Sequence, residues 1–168
     1  MSGQSADGAP IDLPVVIDDA ETIVHAIVAP AHINKKGKVA AAAFRPPYGK
    51  SAISVMRQLM GDDFCKNKAV EIGKASPNQT YVGLLTIKAA AIREAGSNVT
   101  DSRDEWLGHA DLDHGFQSSP EQKPGEPGPA VEFARMTERC QALKKASRFH
   151  KDENPDVAGW SGPPLKIE

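Results

Sequence analysis

Six consecutive residues, His109-Ala110-Asp111-Leu112-Asp113-His114, put two imidazoles and two carboxylates within reach of one another. Nitrogen and oxygen donors in such a run suit a divalent metal such as zinc, manganese or iron. The same groups can move protons, because histidine changes charge near neutral pH. In an extended segment His109, Asp111 and Asp113 share one face and His114 turns to the other. The competing reading is a polar loop, in which Asp111 or Asp113 caps a turn and the histidines face solvent.

A second set surrounds His32. His25 and His32 flank a short apolar run, and Arg45 and Arg57 close the next two. If those run ends gather at one rim, two guanidiniums can grip a phosphate while an imidazole serves as acid or base. Lys35, Lys36, Lys38 and Lys50 add charge to the same stretch. In a hydrolytic version of this site, Asp111 and His114 hold a metal-bound water, and Arg45 and Arg57 stabilise the anionic transition state.

The run 109–114 resembles the metallo-β-lactamase signature His-x-His-x-Asp-His, with Asp111 in the place of the second histidine. The resemblance covers six residues, and it implies a metal held by His109, Asp111, Asp113 and His114. That family places further ligands well downstream, where this chain has His150 as its only later histidine. Gly49-Lys50-Ser51 matches the end of a phosphate-binding loop, but Phe44 stands where the opening glycine belongs.

The elements that must position these groups follow from periodicity. Val24–Val28, Lys38–Phe44 and Ser51–Arg57 read as three strands joined by the turns Asn34-Lys35-Lys36-Gly37 and Pro46-Pro47-Tyr48-Gly49. The four alanines Ala40–Ala43 weaken the middle strand, since alanine favours helix. Gly61–Ala75 predicts a helix, Tyr81–Ile87 a buried strand, and Lys88–Ala95 one or two helical turns. Residues 115–129 are loop by composition, rich in Ser, Pro and Gly. Ala130–Ser147 predicts the clearest helix, striped by Phe133, Met136, Cys140 and Leu143, with Arg139, Lys144 and Lys145 suiting its carboxyl end. The expected fold is a small α+β domain. Its antiparallel meander covers about residues 22–57 and 80–87 and packs with helices near 62–75 and 130–147, and its termini are flexible. Residues 1–13 form a disordered arm, 14–150 the single domain, and 151–168 an extended tail with Trp160 as its one large anchor.

At 168 residues, with 40% hydrophobic and 25% charged side chains, the chain suits one globular domain. Cys65 and Cys140 are too few and too distant for a disulfide framework or a zinc knuckle, and read as small core residues. No secretory pattern opens the chain and no apolar run approaches the ~20 residues that span a bilayer, so a cytoplasmic protein without membrane contact is expected. The net charge of −2 conceals segregation. Residues 1–24 carry five acids and no base, 25–60 six bases and no acid, and 101–128 seven acids against two bases. Either the basic stretch presents a positive face to a polyanion, or the acidic flanks fold over it and neutralise it. The sequence therefore points to binding of a nucleotide or nucleic acid, with His/Asp-dependent hydrolase or transferase activity as an extension. The alternative is a non-catalytic subunit that docks onto a larger protein through its loop and through Trp106 and Trp160.

Overall fold

The computed structural model describes residues 12–120 and 130–168. Six antiparallel strands form one open sheet. They are β1 (Thr22–Ala29), β2 (Ala52–Arg57), β3 (Thr80–Lys88), β4 (Asn98–Asp101), β5 (His109–Asp113) and β6 (Arg148–Lys151), in the order β4-β5-β2-β1-β3-β6. Three helices accompany them: α1 (Asp62–Ala75), α2 (Ala89–Glu94) and α3 (Ala130–Ala146). The architecture is α+β.

β1 is central because it is apolar on both faces. Ile23 and Ile27 enter the core beneath α2 and α3, whereas Val24 and Ala26 enter the core beneath α1. The stripe of α3 supplies Met136, Cys140 and Leu143 to the first core. Cys65, on α1, lies in the second, and both cysteines are free and buried. Gly73 lets α1 lie directly on β3, since a Cβ there would stand 2.9 Å from that of Tyr81.

The expected strand over Lys38–Phe44 is replaced. Ile33 and Val39 make one isolated bridge, and Ala41–Phe44 wind into a 3-10 turn packed under α3. The alanines take the helical conformation they favour, and β1 pairs directly with β2. The short strands β4, β5 and β6 were not expected as strands of this sheet. The expected arm over 1–13 lies outside the described residues except for Asp12 and Leu13, the latter buried. Of the loop over 115–129, only 115–120 is described, and it contains no helix or strand.

Two buried ionic clusters tie remote segments to this frame. Arg57 is fully buried, and its guanidinium holds Glu21 at 2.5 and 2.8 Å and Asp101 at 2.8 Å. It also donates to the Pro14 carbonyl, while Arg103 holds the other side of Asp101. On the opposite face, Lys66 is buried and reaches Asp152 at 2.7 Å and the carbonyls of Asn154, Val157 and Gly159. Tyr81 donates its hydroxyl proton to the same carboxylate at 2.7 Å. The segment after β6, expected as an extended tail, thus lies against α1, where Trp160 is half-buried and Leu165 fully so.

Removing one partner of a buried ion cluster strands the others without solvent, at a cost of about 3–5 kcal/mol. Arg57→Met is therefore expected to lower unfolding free energy by that amount in urea, with the slope against denaturant unchanged. A loss below about 1 kcal/mol would contradict the burial of Glu21 and Asp101 as charged groups.

Candidate functional site

The strand register divides the predicted site residues between two ends of the sheet. Ile23 lies opposite Arg57 and Met56 opposite His109, which places Arg57 and His109 at one end. Ala52 lies opposite Asp113 and Asn98 opposite Asp113, which places Lys50, Asp113 and His114 at the other. His32 follows the last residue of β1 and belongs to that second end. Arg57 thus does not join His32 and Arg45 at one rim. An eight-residue strand is roughly 25 Å long, and β1 separates them by about that distance.

The histidine–aspartate run is extended, and alternation sets its groups apart. His109, Asp111 and Asp113 project from one face, and His114 from the face carrying α3. His109 is buried edge-on against Trp106, with ring centres 5.0 Å apart and no partner for Nδ1 among the described residues. The Asp113 carboxylate accepts the backbone N–H of Gly115 and caps the turn that follows. Among the described residues no three His, Cys, Asp or Glu side chains converge as metal ligands. The expectation of a metal on His109, Asp111, Asp113 and His114 is corrected accordingly, since the strand pleat sends His114 away from the other three.

His114 sits in a closed hydrogen-bond chain. Its Nε2 lies 2.8 Å from the Phe44 carbonyl oxygen, which can only accept, so this nitrogen carries the proton. Its Nδ1 then accepts the Ser97 hydroxyl at 2.7 Å, and Ser97 Oγ accepts from the Arg139 guanidinium at 2.9 Å. Arg139 also donates to the His114 carbonyl at 3.0 Å. Gly96, with φ of +100°, leaves room for this guanidinium, which a Cβ would meet at 2.9 Å. Burial lowers the His114 pKa and keeps the ring neutral. A cavity of about 260 Å³ opens beside Ser97 and His114, lined also by Asn98, Thr100 and Asp113.

His25 does the same for the neighbouring carbonyl, donating Nε2–H to Ala43 at 2.7 Å. The two imidazoles thus hold consecutive carbonyls of the 3-10 turn. Burial, reinforced by nearby His32, pushes the His25 pKa down to about 4. His32 accepts the Val28 backbone N–H at Nδ1, so its proton is on Nε2, and burial lowers its pKa as well. Neither His32 nor His114 keeps a free lone pair for a general base. Both are donors or struts.

The bases at this end are differently placed from those elsewhere. Lys35, Lys36, Lys38 and Lys50 are exposed. The Asn34 side chain accepts the backbone N–H groups of Lys36 and Lys38 at 2.9 and 3.0 Å, which shapes the lysine loop. Arg45 is half-buried, bonded to Thr137 at 2.5 Å and stacked on Phe133 at 4.4 Å. Arg135 and Arg139 stack on Phe116 at 3.9 and 5.3 Å. Arg135 was not singled out in the sequence, and Arg139 read only as a complement to the helix dipole. Their four-residue spacing on one helix flank was the available signal. Every ion pair among the described residues involves Arg57, Lys66, Lys68, Arg93 or Arg103. None involves the lysines of the loop, Arg45, Lys50, Arg135 or Arg139.

The chain matches no protein-family model, no curated protein and no solved structure. The geometry of its own side chains therefore carries the functional reading. Among the described residues no helix is long and apolar enough to cross a membrane.

The neutral state of His25 has a stability consequence. With a folded pKa near 4 and an unfolded value near 6.5, the unfolded chain takes up a proton first as pH falls. Stability is full above pH 6.5 and is expected to drop by about 3 kcal/mol on acidification to pH 4, then to level off for this group. Urea unfolding across that range, with the His25 ring proton followed by NMR, checks this. Titration of His25 near 6.5 in the folded protein would contradict it.

Proposed function

We propose that the protein binds a phosphate-bearing ligand, a nucleotide or nucleic acid, at the end of the sheet formed by residues 30–51 and 113–119. The observation that carries this reading is the uneven pairing of charge. Two of the five acids of the first segment are engaged elsewhere: Glu21 holds Arg57, and Asp19 holds Arg93 at 2.6 Å. Asp101 is divided between Arg57 and Arg103. Among the described residues, no acid of this segment forms an ion pair with the lysine loop. Five of the six bases between residues 25 and 60 have no carboxylate partner among the described residues. Unpaired cations gathered on one surface attract a polyanion and gain from release of its counterions.

The chemistry fits binding better than turnover. His32 offers an Nε2–H donor to a phosphate oxygen, and the exposed Lys35, Lys36, Lys38 and Lys50 offer ammonium groups at the same end of the sheet. The Nδ1 atoms of His32 and His114 are both occupied, and the unpartnered Nδ1 of His25 is buried away from solvent, so no imidazole lone pair here faces a ligand.

Retention on immobilised heparin tests the reading. The wild-type protein is expected to elute at raised salt, and the triple variant Lys35→Ala, Lys36→Ala, Lys38→Ala to elute distinctly earlier. Removing the same charge from the other end, with Lys88→Ala, Lys144→Ala, Lys145→Ala, is expected to leave elution nearly unchanged. Equal shifts in the two triple variants, or no retention at all, would overturn the proposal.

A further inference from the structure

We infer that the ligand is single-stranded nucleic acid and that Tyr48 is the platform on which one of its bases stacks, an inference that rests on the basic-end reading above. Tyr48 is 75% exposed, and it is the only aromatic side chain among the large hydrophobic residues that the described structure leaves open to solvent. Leaving so large an apolar ring in water forgoes roughly 1.5–3 kcal/mol of burial. Its place at the tip of a fastened turn sets its Cα away from the core.

The hold is built from three hydrogen bonds. Lys50 N–H donates to the Pro47 carbonyl at 2.9 Å and closes a four-residue turn with Tyr48 at its second position. Gly49 supplies the φ of +82° that this turn requires. Gly49 N–H donates to the Ser118 carbonyl at 2.9 Å, and Ser118 N–H donates back to Lys50 at 2.8 Å, which fastens the turn to the chain just beyond β5. Pro47 precedes the ring and limits backbone freedom further. A turn fixed before binding loses little backbone freedom when a ligand arrives.

The surroundings select the ligand. Lys50 stands two residues after Tyr48 and is exposed like it, and the exposed Lys35, Lys36 and Lys38 belong to the same end of the sheet. Alternation of a stacking ring with phosphate-binding cations is what an unpaired strand needs, because its bases are free to leave one another and lie on an aromatic face. In a duplex those faces are already stacked, and the ring would have only phosphates to meet. A mononucleotide could use the ring and one cation, but it would leave the lysine loop unoccupied.

Fluorescence anisotropy with a labelled twelve-nucleotide oligothymidine, the matching duplex and a labelled adenosine triphosphate tests the inference, with heparin retention run beside it. The oligothymidine is expected to bind more tightly than duplex or nucleotide. Tyr48→Ala is expected to weaken it about 5- to 100-fold and Tyr48→Phe to preserve most of it. Since the side chain is exposed, circular dichroism of both variants is expected to match the wild type, and heparin retention is expected to persist in both. Tighter binding of duplex or nucleotide, no binding of the oligothymidine, or equal binding by Tyr48→Ala would overturn the inference. If heparin retention survives in any of those cases, the single-strand inference alone fails. If the wild-type protein is not retained either, the basic-end reading fails with it.

Discussion

The burial of Arg57 constrains the charge distribution of the whole molecule. A guanidinium without solvent needs carboxylates around it, and here they come from Glu21, at the entrance to β1, and Asp101, at the end of β4. These two acids are committed to one end of the sheet, about a strand length from the lysine loop. At physiological salt the screening length is about 8 Å, so they do little to offset the positive potential there. Asp19 is likewise held by Arg93. A chain with net charge −2 can in this way keep one end basic.

The histidines contribute architecture. His25 and His114 each give a proton to a carbonyl of the 3-10 turn, and through Ser97 the second of them also orients Arg139. Neutral imidazoles suit this duty because they donate from one nitrogen without the desolvation cost of a full charge. The turn in turn carries Phe44 into the core and sets Arg45 beneath α3. His25 and His114 are thus buried supports of the turn that leads to Arg45.

The parts of the fold written as long periodic patterns were legible. β1, β2, β3, α1 and α3 lie close to where alternation or helical spacing put them. The strand expected over Lys38–Phe44 failed at the alanines, where local helical preference prevailed over the apolar pattern. β4 and β6 are four residues each and mostly polar, so they carry too little alternation to be recognised. Their strand character comes from the neighbours they pair with. The candidate site was legible as a list of bases and not as a geometry. Arg57 looked like the other cations because its partners are 36 and 44 residues away along the chain. The pleat that sends His114 away from His109 was readable as a condition on the run being extended, and the register supplied the condition.

Lys66 imposes an order on how the molecule comes into being. The carbonyls that receive its ammonium group lie 88 to 93 residues later in the chain. At roughly 5–20 residues per second, synthesis leaves this lysine without its acceptors for about 4–18 s after it is made. The late segment brings Lys66 its acceptors and its cover together, so the ammonium group leaves water only at the last step of synthesis.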